Sequence, residues 1–412
     1  MGSERHAPWH LRTNVHMVFV VIFASDGGGA GMIYLDHNAT TPVADEVLGA
    51  MLPWFQSDFG NASSAHIPGR RAAAAVEHAR EQVASLIGAA PGEIVFTSGA
   101  TEANNLALQG AWAVRPSTRD RVVVSAVEHK AVLEAAAELP GITDVTVVPV
   151  DRHGRIDLSA LEKSLDDRVA IVSIIAANNE VGTLNPIADV TRLAKAVGAV
   201  VHTDATQWVG KQSLAVDDWN VDLLSLSAHK FYGPKGVGAL FLRRGQRIVP
   251  SLYGGGQERG IRSGTLNVPG IVGLGAAAEL AARRLANDEA PLKQMRDIFF
   301  LELESTIPGV SLNGHPTDRL CNTLNVRFEG VEGEAILAST PELAASTGSA
   351  CESASPTPSH VLLAMGLGRE AADECLRFSL GRDTTNAELH EAVRLLEATV
   401  ARVRALTAVM GS

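Results

Sequence analysis

Cysteine is scarce in this chain. There are three in 412 residues, Cys321, Cys351 and Cys375, and no two of them form a C-x-x-C pair. That spacing excludes a structural zinc ribbon and a self-contained iron–sulfur cluster, and no metal site is expected. An odd, sparse set of thiols fits a reducing compartment, here read as the cytoplasm. Basic charge is also in short supply. The formal net charge is −11, which removes the global positive footprint of a nucleic-acid-binding protein and discourages tight direct binding to nucleic acid or to a membrane. Long apolar runs are missing too. Residues 17–24 (MVFVVIFA) fall well short of the ~20 residues that cross a bilayer, and SDGGGAG follows them rather than a small-residue cleavage site. Residues 1–31 are therefore read as an extension outside the fold, with regular patterning from Met32. Aromatics are only 5% against 38 glycines, which argues for Ala/Val/Gly-rich layers of helix on sheet rather than an aromatic-cored sandwich. With 46% hydrophobic and 20% charged residues, a long disordered chain is excluded.

What is present is alternation. Short apolar runs recur at 93–97, 121–125, 144–149, 168–176, 199–203, 221–225 and 238–243. Most are rich in Val, Ile and Leu without strict polar alternation, the mark of strands buried on both faces. Helical patterns lie at 43–55, 69–87, 130–139, 158–165 and 187–197. The order predicts an α/β fold, with a mostly parallel seven-stranded sheet covered by helices on both faces. After residue 285 helix dominates, at 286–305, 333–339, 359–365 and 386–406, with one strand at 323–328. A smaller α+β domain is expected there. The division is 32–44 as an N-terminal segment packing with the small domain, 45–285 as a large domain, and 286–412 as the small one.

Three segments suggest chemistry. Lys230 follows the apolar run 221–225, behind His229 and ahead of a Gly-rich turn. Ligands in open α/β sheets sit at strand carboxyl ends, and a partly desolvated Lys there can form a Schiff base. Taken alone, a solvated loop lysine explains it better. Asp204 follows the run 199–203. A buried carboxylate is costly unless paired, and a protonated pyridine nitrogen would pair it; a helix cap is the plain alternative. Residues 97–105 (TSGATEANN) join a strand to a helix, and backbone N–H groups at Ala100 and Thr101 would make a phosphate cradle, or an ordinary cap. Together the three are the parts that hold pyridoxal phosphate. A Gly-rich loop at 253–265 (YGGGQERGIRSGT) and His129, at another strand end where it could stack on a flat ring, fit the same ligand.

These motifs resemble the cysteine desulfurases of the NifS/IscS group, class V aminotransferases and fold-type I pyridoxal-phosphate enzymes. The resemblance runs from Met32 to about Leu406 through 34–42 (YLDHNATTP), 60–66 (GNASSAH), 178–182 (NNEVG) and 376–382 (LRFSLGR). It implies that Lys230 carries the cofactor, that Asp204 holds the pyridine nitrogen, and that His129 stacks on the ring and moves protons. Ala100, Thr101, Ser227, His229 and the partner subunit's Thr265 would hold the phosphate, so the active site would need a homodimer. Asn179 and Gln207 would touch the ring substituents, and Asn179 and Arg377 the substrate carboxylate, for which an Arg fork is well shaped.

Cys351 lies in 346–356 (STGSACESASP), a stretch of small and hydroxylated residues with no hydrophobic period. Cys321 and Cys375 sit beside apolar residues and read as quiet packing. In the family, Gly-Ser-Ala-Cys carries the sulfur-accepting thiol. The implied activity is removal of sulfur from L-cysteine, giving L-alanine and a persulfide on Cys351 that passes to an acceptor protein. The chain stops soon after its last helix, without the further tail that housekeeping members use to dock an iron–sulfur scaffold. That puts the scaffold in doubt and leaves tRNA thiolation or DNA phosphorothioation as alternative destinations. Selenocysteine lyases and aminotransferases would keep Lys230 and Asp204 but would not need Cys351.

Overall fold

A computed structural model describes residues 31–348 and 358–410. In chain order its elements are β1 (Ile33–Tyr34), α1 (Asp45–Met51), α2 (Pro53–Gln56), α3 (Ile67–Ile87), β2 (Ile94–Thr97), α4 (Ala100–Ala113), β3 (Arg121–Ser125), α5 (Lys130–Ala137), β4 (Asp144–Val148), α6 (Leu158–Ser164), β5 (Val169–Ser173), α7 (Ile187–Ala196), β6 (Val200–Asp204), α8 (Val216–Trp219), β7 (Leu223–Ser227) and β8 (Gly238–Leu242). Then come α9 (Val268–Thr306), β9 (Val310–Asn313), β10 (Thr323–Phe328), α10 (Gly333–Ala338), β11 (Leu343–Ala344), α11 (His360–Ala364), α12 (Arg369–Asp373), β12 (Cys375–Ser379) and α13 (Asn386–Met410).

All seven expected early strands enter one sheet, in the order β2-β8-β7-β6-β5-β3-β4. The pairs from β4 through β7 are parallel, while β8 runs antiparallel to both β7 and β2. The alternation of strand β3 shows why these runs carry no polar face. Val122 and Val124 enter a core shared with α4 and α5, whereas Val123 enters the opposite core shared with α3 and α9. Both pleat faces are thus apolar.

A third core surrounds the antiparallel sheet β9-β10-β12. The N-terminal segment joins it. β1 pairs in parallel with β11, Ile33 opposite Leu343, and Ile33 and Leu35 are buried there. The chain then crosses to the large sheet, where Thr41 N donates to His229 O at 2.9 Å.

Three features depart from the sequence reading. The helix expected at 286–305 begins at Val268, so the boundary drawn after residue 285 falls inside one 39-residue helix, α9. Its early glycines look like poor helix formers, but they are contact points: a Cβ on Gly275 would lie 2.6 Å from Ala79 Cα, and one on Gly273 2.6 Å from Met51 Sδ. Close packing of α9 on α3 and α1 needs them. Strands β9, β11 and β12 were not expected as strands. β7 also runs two residues beyond its expected end, so that Ser227 closes it and Lys230 sits in the single 3₁₀ turn that follows.

Candidate active site

The carboxyl ends of β3, β5, β6 and β7 face a cavity of about 560 Å³, within the ~300–1,000 Å³ range of small-molecule sites. Ala100, Thr101, His129, Asn179, Asp204, Gln207, Ser227, His229, Lys230 and Arg377 all line it. Thr265 does not; it is exposed on the loop before α9. Cys351 lies outside the described residues.

Lys230 Nζ donates to the backbone carbonyls of Asn38, at 2.6 Å, and Ala39, at 2.9 Å. The lysine is thereby held by the segment that crosses from the small sheet. Asp204, the last residue of β6, is buried; its Oδ2 accepts from Asn104 Nδ2 at 2.8 Å and its Oδ1 from Thr206 N at 2.9 Å. The turn-capping alternative is therefore real for one oxygen. Both of these donors are neutral.

His129 caps α5. Its Nδ1 accepts from Ala131 N at 3.1 Å, so in the neutral ring the proton sits on Nε2. Burial lowers its pKa, against the opposing pull of Asp204, and the imidazole is neutral near pH 7. Burial, aided by Lys230, pushes the His229 imidazole down to about 4. Its Nδ1 lies 3.2 Å from Thr40 Oγ1.

The cradle at the start of α4 is shaped by two glycines. Gly99 adopts φ +154° ahead of Ala100, and a Cβ on Gly238 of β8 would come 2.8 Å from the Gly99 backbone. The first-turn N–H groups, which lack helical partners, belong to residues that line the cavity together with Ser227. Glu102 Oε2 takes Ser98 N at 2.7 Å, and Glu102 is itself held by Arg262 Nε at 2.7 Å.

Arg377, on β12, is 3% exposed; its Nη2 donates to Asp36 Oδ1 at 2.7 Å and its Nη1 to Asn179 O at 3.1 Å. Its Nε is buried without a partner among the described residues, as are Asn104 Oδ1 and Thr206 Oγ1. All three residues line the cavity. Buried polar groups are usually hydrogen-bonded, and a polar ligand in this cavity would give these three a partner.

Four residues of this environment were not singled out from sequence. Asn38 and Asn104 have small neutral side chains with no local signal. Glu128 lies behind His129 and is fully buried; its Oε1 accepts from Ser125 Oγ and Ile175 N, each at 2.6 Å. Burial raises its pKa to about 8. Lys211 donates to Gln207 Oε1 at 2.6 Å and to Asn38 Oδ1 at 3.0 Å. A lysine four residues after Gln207 was the only hint of it.

The residues present fit pyridoxal phosphate. A buried carboxylate suits a pyridinium nitrogen, a helix N-terminus a phosphate, a carbonyl-bound lysine amine an aldehyde, and an under-used guanidinium a substrate carboxylate.

Comparison with known proteins agrees. A family model described as aminotransferase class-V matches residues 33–391. A protein named cysteine desulfurase IscS, from Anaeromyxobacter sp. (strain Fw109-5), is 48% identical over 380 residues, covering 91% of this chain and 94% of that relative. A solved structure titled NIFS-like protein superposes with a TM-score of 0.84 at 38% identity, covering 90% of this chain and 99% of the other. Another, titled SspA in complex with cysteine, gives 0.75 at 40% identity over 84% and 98% of the two chains. The chain thus belongs to the class-V aminotransferases, in the branch of pyridoxal-phosphate-dependent cysteine desulfurases.

Proposed function

We propose that this protein takes sulfur from L-cysteine, releases L-alanine and carries the sulfur as a persulfide on Cys351. The observation that carries this reading is the convergence of Lys230, Asp204, His129 and Arg377, from four separate segments, on one cavity.

Ala100, Thr101, Ser227 and His229 would hold the cofactor phosphate, joined by the partner subunit's Thr265. Asp204 would hold the pyridine nitrogen, His129 would lie against the ring, and Asn179 and Gln207 would contact its substituents. Lys230 would carry it covalently. When bound, pyridoxal phosphate supplies an electron sink for negative charge developing at the substrate Cα. The protein's own groups do the rest. Arg377 would meet the substrate carboxylate, its terminal nitrogens already oriented by Asp36 and the Asn179 carbonyl. Lys230 Nζ is the amine placed to accept a proton once its covalent role is relieved. His129 keeps its Nε2 proton available because Ala131 N holds Nδ1 as an acceptor. The Cys351 thiolate bonds to the substrate sulfur as the carbon–sulfur bond breaks, and the carbon keeps the electron pair, picks up a proton and leaves as alanine.

The large unit of residues 45–285 would bind the cofactor, and the small unit of 286–412 would bring Cys351 to it. A homodimer completes the site through Thr265. The acceptor is a protein able to take sulfur from a persulfide. The buried, unpaired thiols of Cys321 and Cys375 support a cytoplasmic setting.

The test is product and adduct together. After incubation with L-cysteine, alanine should form and the Cys351 peptide should gain one sulfur atom. In a separate sample without cysteine, borohydride reduction should fix the cofactor on Lys230. Cofactor fixed on Lys235, or alanine formed with no adduct on Cys351, would overturn the assignment and favour a lyase or an aminotransferase.

A further inference from the structure

Among the described residues, no carboxylate pairs with the Lys211 ammonium group. The residue is half-buried, but its charged end is enclosed, and its bonds are to two amide oxygens, Gln207 Oε1 and Asn38 Oδ1. The charged groups that face it make matters worse. Lys230 and Arg377 are both cations, and the remaining neighbour is the buried Cys321 thiol. Across a small adjoining cavity lie His37, Arg382, Asp288 and Glu289. Asp288 is engaged by Arg382 at 2.6 Å and Arg284 at 3.0 Å. Burial, with Lys230 next, pushes the Lys211 ammonium down to about 7. An uncompensated enclosed cation is costly unless it complements negative charge that arrives with a ligand.

The geometry says where that charge would be. An ammonium can only donate, so both amides turn their oxygens toward it. Gln207 is left with its Nε2 directed away, donating to Asn38 O at 2.9 Å and keeping a second N–H for the cavity that Gln207 lines. The same Asn38 carbonyl accepts from Lys230 Nζ at 2.6 Å. One backbone carbonyl therefore joins the two lysine networks.

We propose that Lys211 is a positioning residue for the ring end of the cofactor: it fixes the Gln207 amide so that an N–H meets an anionic ring oxygen, and it places a second positive charge behind Lys230. This rests on the pyridoxal-phosphate reading and assigns a role to a residue that need not touch the cofactor.

The test is a pH titration of the visible band of the holoenzyme, without substrate. Lys211 disfavours a proton on the link between Lys230 and the cofactor, so removing its charge should raise the midpoint. Lys211→Met should titrate higher than the parent protein by about one pH unit, the scale of a single nearby charge. Lys211→Arg, which keeps the cation, should stay close to the parent. Lys211→Gln carries the test if the Met variant does not fold. An unmoved midpoint in the neutral variant, or an equal rise in Lys211→Arg, overturns the proposal. A parent protein with no visible band after cofactor addition fails the cofactor reading itself, and this one with it.

Discussion

Arg377 Nη2 lies 2.7 Å from Asp36 Oδ1, so a guanidinium on the small antiparallel sheet is held by a carboxylate from the N-terminal crossing segment. The pair ties together two parts of the chain 341 residues apart, while Nε is buried without a partner among the described residues. A buried Arg without this carboxylate would have to find its orientation on substrate arrival.

For Arg377→Ala, KM for cysteine should rise and kcat/KM should fall by roughly 30- to 5,000-fold, the equivalent of the ~2–5 kcal/mol lost with a desolvated charged contact. The cofactor band should remain. Asp36→Asn should raise KM by less, because the guanidinium stays but is less firmly aimed. Steady-state kinetics on both variants decides it; an unchanged kcat/KM in Arg377→Ala would move the carboxylate site elsewhere, with Arg382 next in line.

Cys351→Ser should separate the two halves of the reaction. The ring chemistry uses Lys230, Asp204 and His129, whereas sulfur removal needs a strong nucleophile, and a serine hydroxyl is a poor one near neutral pH. This variant should bind cofactor and change spectrum on cysteine addition, yet release no alanine above background. Cys321→Ser and Cys375→Ser should turn over nearly normally, apart from packing losses. Their thiols are buried and pushed up to about 11 and 12 by that burial. Near-normal alanine release by Cys351→Ser would rule out the persulfide route.

Glu128 makes stability depend on pH. Burial raises its pKa from an ordinary 4.5 to about 8. Between those values the unfolded chain has given up a proton that the folded chain keeps. The folded state therefore binds more protons, and stability falls as pH rises through that window. Below about 4.5 the effect is fully favourable, and above about 8 it is gone. Glu128→Gln, a neutral isostere whose amide oxygen can still accept from Ser125 and Ile175, should remove this slope. Thermal unfolding should show the variant gaining on the parent from pH 5 to pH 8; a constant difference in Tm would refute it.

The large sheet was legible because most of its strands are short Val/Ile/Leu runs, and β5, β6 and β7 are buried on both faces, so no alternation was needed to find them; the edge strand β4 is partly exposed. The strand-end residues came with it: Lys230 and Asp204 stand where β7 and β6 deliver them. β12 was harder. All five of its residues are buried, including Arg377, and a buried Arg breaks the apolar pattern that marks a strand. Asn38, Asn104 and Lys211 were not found because their meaning comes from contacts across the fold. Asn38 meets Thr323 285 residues away, and Asn104 meets Asp204 100 residues away. Glu128 stood beside His129 in plain view, but only its complete burial makes it unusual.

Helix α9 has a consequence for how this protein comes apart. At ~1.5 Å per residue it is about 58 Å long, and it serves two cores: its residues up to Ala281 join the core between the large sheet and α3, and Phe299 and Leu303 join that of the small sheet. Between Ala281 and Leu292 none of its residues belongs to either core, and Pro291 removes the N–H that would have met the Asn287 carbonyl. That stretch is fastened by Asp288 to Arg382 and by Arg283 to Glu46, while Arg284 pairs with Asp288 only within the helix. The weakest turn of the longest helix thus lies midway between two well-packed anchors. Fluctuations of lowest cost should melt that turn first and let the two halves of the molecule breathe against each other. Amide exchange would then divide one continuous helix into two slow blocks around a fast centre.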